Sequence, residues 1–261
     1  MLLKYVERDQ IFRKSVKIRP VEEIINIQIF RPLAHFLLIY IKDLSIKPEW
    51  IVIFHTLIVI ISAFILFYSN SYFENFLVFV LLQFKTVLDN LDGQLARYKE
   101  IQSILGRYLD TIMDYLGNLA IFLSIGLKHN EIILCLISFY VLTWVLSYDF
   151  NLERLYKGLG IEKEYQKLNA LERFLKLLYD FLLGYQDYLI IVFERFLWVK
   201  KGRKDDFWKR EYLYFTANMG LSTQLFVLGV FTLFGLEKFY LYLPFFCAFI
   251  IIMLIIYRLL R

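Results

Sequence analysis

Residues 50–68 run for 19 positions without an Asp, Glu, Lys or Arg. A helix of that length crosses the hydrocarbon core of a bilayer, which needs about 20 mostly apolar residues. Similar apolar stretches occupy residues 72–88, 105–127, 131–148, 212–236 and 239–257. The third is unusual, because Arg107, Asp110 and Asp114 fall in its first turns. The expected fold is therefore all-α: a polytopic membrane protein with six transmembrane helices. With 59% hydrophobic and 21% charged residues, the 261-residue chain is neither a disordered protein nor an ordinary soluble domain. Cys135 and Cys247 are the only cysteines and both sit in apolar runs, which excludes a disulfide scaffold.

Lysine and arginine set the orientation. Three of the loops that the six spans define, at residues 70–74, 128–131 and 235–238, hold only Lys128 and Lys238 of the 30 basic residues. The other side is expected to be cytoplasmic, with both termini on it, in a plasma membrane. No cleavable signal peptide is expected, because the first apolar run starts late. The chain divides into a cytoplasmic N-terminus at 1–49, spans one to four at 50–149, a cytoplasmic insert at 150–211 and spans five and six at 212–261. Within the N-terminus, residues 20–42 read as an amphipathic interfacial helix. Glu22 and Glu23 follow Pro20 as a start signal, and Pro32 is expected to kink or divide the helix. In the insert, Leu168, Leu171, Leu175, Leu178 and Leu182 recur at helical spacing. Residues 188–199 form a second apolar run, interrupted by Glu194 and Arg195. A seventh span there would move the basic residues of 200–210 to the other side, so it is rejected.

The residues that carry chemistry join spans two and three. They read Asp89-Asn90-Leu91-Asp92-Gly93-Gln94-Leu95-Ala96-Arg97, then Gly106, Asp110 and Asp114. Asp89 and Asp92 are i,i+3 on one helix, and Asp110 and Asp114 are i,i+4 on the next, so each pair shares a face. Two antiparallel helices could then gather four carboxylates. Clustered anions beside a bilayer repel and are costly to dehydrate, and a cation compensates both. All-oxygen ligands favour a hard ion such as Mg²⁺ or Mn²⁺, and four carboxylates suffice for two of them. Gly93 and Gly106 leave room for a ligand near the backbone, and Arg97 offers a planar cation to phosphate.

This segment, D-x2-D-G-x2-A-R-x8-G-x3-D-x3-D over 89–114, resembles the signature of the CDP-alcohol phosphotransferases (CDP-alcohol phosphatidyltransferases), membrane enzymes of phospholipid synthesis. The resemblance implies an enzyme that moves a substituted phosphate from a CDP-alcohol, CDP-diacylglycerol above all, to an acceptor alcohol and releases CMP. It implies metal ligation by Asp89, Asp92, Asp110 and Asp114, with Asp114 also the general base. It implies CDP binding by Asp89, Gly93, Ala96, Arg97 and Gly106, and a homodimer. Arg31, Lys85 and Arg107 are candidates to bind the acceptor, by position. The stretch from Arg19-Pro20 to Pro32 is similar to inositol-type relatives, which points to inositol phosphate or glycerol 3-phosphate. Gly220-Leu221-Ser222-Thr223-Gln224 is a weaker echo. Lys47-Pro48-Glu49-Trp50 departs from the Thr-Pro-Asn of many relatives, with Glu49 in place of asparagine.

Other features read as structural. His35, His55 and His129 have no metal-ligand spacing and are expected in packing or interface roles. The basic run Lys200-Lys201-Gly202-Arg203-Lys204 reads as a stop signal or an anionic-lipid contact. No nucleic-acid motif is present. Two further readings fit parts of the pattern: a cation transporter built on intramembrane acids, and a catalytically inactive relative.

Overall fold

The computed structural model describes residues 9–159, 168–203 and 207–260, and every regular element among them is helical. Lys204 of the basic run lies outside the described residues. The elements are α1 (Gln10–Ser15), a π turn (Asn26–Phe30), α2 (Arg31–Ile41), α3 (Pro48–Tyr68), α4 (Tyr72–Tyr98), α5 (Ile104–Lys128) and α6 (Ile132–Tyr156). They continue with α7 (Ala170–Tyr179), a second π turn (Asp180–Gly184), α8 (Tyr185–Lys200), α9 (Arg210–Ala217), α10 (Leu221–Leu233), α11 (Glu237–Tyr240) and α12 (Leu243–Leu260).

Among the described residues, four helical stretches are long and apolar enough to cross a membrane: Pro48–Tyr68, Ile132–Tyr156, Arg210–Leu233 and Glu237–Leu260. Helices α4 and α5 are 27 and 25 residues long, but they carry the charged motif. Local chemistry sets the boundaries. Pro48 opens α3, where a missing N–H costs nothing. Ser71 and Glu74 form a reciprocal capping box that starts α4. Ser103 Oγ accepts the Gly106 N–H at 2.9 Å and starts α5.

Helix α3 is the centre of the arrangement. Among the described residues, α4 and α5 each pack along α3 rather than along one another. The two motif helices therefore gather their carboxylates across α3 and not through direct packing on one another. The core runs through Val59 and Leu66 of α3, Val78 and Leu82 of α4, Ile121, Phe122 and Ile125 of α5, and Phe139 and Leu142 of α6. Gly117 lets Val59 approach α5, since an added Cβ would stand 3.0 Å from a Val59 methyl.

The segment expected to be one interfacial helix, residues 20–42, is without helix at 20–23 and helical from Ile24 through the π turn and α2 to Ile41. Pro32 stands in the first turn of α2, directly after the π turn and with helical backbone on both sides, so it does not divide the helix. Phe30, Ala34 and Leu38 bury against Ile51, Val87, Leu91 and Leu95. One face of α2 is thus fixed to the ends of α3 and α4, while Leu33 and Tyr40 stay exposed.

The insert holds the amphipathic helix that its periodicity implied, as α7, and the second apolar run is also a helix, α8. Leu175 of α7 packs on Tyr108 and Ile112 of α5. Helix α8 has 16 residues and is not among the four apolar spanning stretches. The charge that interrupts it has a structural partner. Glu194, fully buried, accepts from Arg258 Nη2 at 2.6 Å, from Tyr148 Oη at 2.6 Å and from Trp208 Nε1 at 3.1 Å. This network ties α8 to α6 and α12.

Candidate active site

Helix α4 brings Asp89 and Asp92, and α5 brings Asp110 and Asp114, to the same end of α3. His55 completes the group from α3. Ligand atoms of His55, Asp89, Asp92 and Asp110 all lie within 4.8 Å of one another. Asp114 stands beside them, held by Lys85. The Lys85 Nζ donates to Asp114 Oδ1 at 2.6 Å and to Asp89 Oδ1 at 3.0 Å, and Lys85 is only 3% exposed. The four carboxylates that the sequence singled out therefore do come together.

Chemistry at the cluster calls for a cation. Four carboxylates face one buried ammonium, and unpaired buried charge is costly. Asp92 Oδ2, Asp110 Oδ1 and both ring nitrogens of His55 are buried without a hydrogen-bond partner. Buried polar atoms are nearly always satisfied, so a set of orphans converging on one place fits a divalent ion.

Of the residues expected to contact the nucleotide, Gly93, Ala96 and Arg97 lie on α4 and Gly106 lies in the first turn of α5. The Arg97 guanidinium folds over Gly93, where an added Cβ would meet its Nη atoms at 3.1 Å. Ala96 and Gly106 are half-buried in the same region of sequence. Glu49, the departure before the first span, accepts from Ser103 Oγ at 3.1 Å and so engages the residue that caps α5 beside Gly106.

Residues 9–23 form a strap across this end of the molecule. Asp9 meets His35 Nε2 at 3.0 Å, and Phe12 packs edge-on against the same ring. Ser15 O accepts from Arg97 Nε at 2.5 Å, and Lys17 O from Arg31 Nη1 at 3.2 Å. Arg19 donates to Glu153 Oε2 at 2.6 Å and Asp149 Oδ2 at 3.3 Å. Glu23 then caps α10: its Oε2 accepts from Thr223 N at 2.7 Å and Thr223 Oγ1 at 2.9 Å. That carboxyl needs Gly220, because a Cβ there would stand 2.4 Å from Glu23 Oε1. Burial pushes Glu23 up to about 7 against these two bonds, which pull it down. Lys17 is a strap cation. Its ammonium is crowded by Arg19, Glu153 and Arg97, and its charge reaches Asp110. Burial and the neighbouring Arg19 hold its own proton affinity below the ordinary lysine value.

On the other flank a cavity of about 460 Å³ opens from Asp110 and Asp114. Arg107, Thr111 and Asn118 of α5, Thr143 and Arg154 of α6, and Tyr179 and Asp187 from the insert line it. Neither Gly93 nor Arg97 reaches it.

The family model for CDP-alcohol phosphatidyltransferases matches residues 46–260. The chain belongs to this family. Its membership is carried by most of the chain, and the strap lies outside the matched region. No curated protein matches the chain. A CDP-alcohol phosphatidyltransferase works in a membrane on a CDP-alcohol donor and an alcohol acceptor, in phospholipid synthesis.

The three residues singled out for the acceptor fall in different places. Arg107 lines the cavity. Lys85 is enclosed by Asp89 and Asp114. Arg31 pairs with Glu22 at 2.6 Å, beside the strap. Sequence reasoning assigned His55 to packing, yet it sits in the carboxylate cluster. Its spacing from the motif gives no signal, because it comes from another helix. His35 and His129 do serve interfaces, with Asp9 and with Glu237 at 3.2 Å.

Proposed function

We propose that this protein transfers the phosphatidyl group of CDP-diacylglycerol to the hydroxyl of a small phosphorylated alcohol and releases CMP. The observation that carries the reading is the convergence of the four motif carboxylates, between Arg97 and Lys17 on one flank and an open cavity on the other. Asp89, Asp92, Asp110 and Asp114 would hold two divalent ions, Mg²⁺ or Mn²⁺, as a binuclear centre. When bound, such ions supply positive charge for the pyrophosphate and for the departing CMP.

The protein's own residues divide the work. Gly93, Ala96 and Gly106 leave space for the nucleotide. Arg97 and Lys17, neighbours on α4 and the strap, give the pyrophosphate two cations from one flank. Displacement in line at phosphorus puts the attacking hydroxyl opposite the leaving group. The cavity stands on that far side, so it receives the acceptor. Asp114 lines it and accepts the proton of the attacking hydroxyl. Arg107 and Arg154 line it from two different helices and favour an anionic acceptor, such as inositol phosphate or glycerol 3-phosphate. The site sits at the cytoplasmic end of six spans, with α4 and α5 as the second and third, in a plasma-membrane homodimer.

The test is release of CMP by purified protein from CDP-diacylglycerol across a panel of acceptors. Asp114→Asn is expected to bind CDP like the wild type and to lose turnover by a factor of 100 or more, the scale of general-base catalysis (about 10²–10⁴). Full activity in that variant would remove Asp114 from the role. Lys17→Ala is expected to raise the KM for the CDP-alcohol about tenfold, the equivalent of one charge-assisted hydrogen bond, with the acceptor KM unchanged. An unchanged donor KM would place the pyrophosphate elsewhere.

A further inference from the structure

His55 has an environment that packing does not account for. It is 0% exposed, and neither ring nitrogen has a hydrogen-bond partner. Its Nε2 stands 3.3 Å from Asp92 Oδ2, 3.8 Å from Asp110 Oδ1 and 3.9 Å from Asp89 Oδ1. These are carboxylates on two separate helices, and the ring faces all three. None of the three approaches makes a hydrogen bond; the shortest lies within bonding distance but is poorly aligned. The atoms converge on a shared point between them instead of on one another. Ligands about 2.1 Å from one small cation, at octahedral angles, stand roughly 3–4 Å apart, which is the spacing seen here.

A histidine retained only for packing would be expected to spend a nitrogen on a nearby carbonyl or hydroxyl. Here the orphan nitrogens coincide with orphan oxygens on Asp92 and Asp110. We propose that His55 is a metal ligand, so that the centre is a mixed imidazole–carboxylate site rather than an all-carboxylate one. This rests on the reading of the cluster as a metal site. The consequence is selectivity. Imidazole suits borderline ions, whereas Mg²⁺ prefers oxygen donors and keeps its waters. The nitrogen therefore favours a divalent ion that accepts imidazole more readily than Mg²⁺ does, which of the two ions named for this site is Mn²⁺.

The position of α3 explains how the residue arrives. Because α4 and α5 pack on α3 and not on each other, the gap between the two carboxylate pairs is filled by an α3 side chain. His55 occupies that gap.

The decisive experiment loads purified protein with Mn²⁺ and records pulsed electron paramagnetic resonance. The wild type is expected to show coupling to a directly bound ¹⁴N, and His55→Gln to lack it while still binding Mn²⁺. In parallel titrations, His55→Gln is expected to weaken Mn²⁺ about tenfold and Mg²⁺ less than threefold. Absence of ¹⁴N coupling in Mn²⁺-loaded wild type would overturn the proposal, as would equal losses for both ions. CMP release is measured on the same preparations. Turnover without nitrogen coupling would remove His55 from the centre and leave the transferase reading standing. Failure of the wild type to bind either ion would overturn both.

Discussion

At the scale of single residues, the motif carboxylates were legible because helical spacing places each pair on one face whatever the tertiary packing. Asp89 with Asp92, and Asp110 with Asp114, needed only that rule. His55 was not legible, since its role depends on which helix fills the space between two others. Lys85 was seen as a cation near the site, but its pairing with Asp89 and Asp114 is a tertiary fact. Glu23 shows the same limit. Its carbonyl does accept the first bond of the helical run, from Ile27 N at 3.0 Å, as its place after Pro20 implies, but the capping of α10 by its side chain, two hundred positions away, is a tertiary fact. Its raised pKa has a measurable consequence. Below about pH 4.5, its ordinary value, Glu23 is protonated in folded and unfolded chains alike and adds no pH dependence. Between there and about 7 the unfolded chain loses the proton first, so stability falls as pH rises, and the loss is complete above about 7. The full effect is on the order of 3 kcal/mol. Thermal unfolding in detergent from pH 5 to 8 should therefore show a downward slope in the wild type that Glu23→Gln flattens. Parallel slopes would mean that Glu23 keeps an ordinary pKa.

At the scale of elements, the apolar runs announced the helices, and the start of α4 was fixed by its Ser71–Glu74 box. The strap was not legible in the sequence, and its residues 20–23 were expected in the interfacial helix, because contacts with Arg97, Glu153 and Thr223, none of them near in sequence, set its course. In the insert, amphipathic periodicity sufficed to place α7. Helix α8 was harder to read, because the buried Glu194 answers to Arg258 at the far end of the chain. Breaking such a pair leaves an uncompensated buried charge. Arg258→Ala should cost about 3–5 kcal/mol, and the double variant Arg258→Met with Glu194→Leu should recover most of it. Unfolding midpoints measured in detergent decide this. A single variant as stable as the wild type would show that the pair does not hold α8 in place.

At the scale of the whole molecule, α3 stands between the two motif helices, the strap ties down one face and the insert walls a cavity on the other. The strap is outside the region shared with the family, while the carboxylates lie inside it. The account as a whole rests on the carboxylate cluster performing phosphatidyl transfer. Its most direct test is CMP release from CDP-diacylglycerol with Mn²⁺ or Mg²⁺ over a set of phosphorylated alcohols, beside Asp114→Asn. The account predicts CMP formed with one acceptor class by the wild type and none above background by the variant. No CMP with any acceptor, from protein that fails to bind CDP in the presence of either metal, would contradict it.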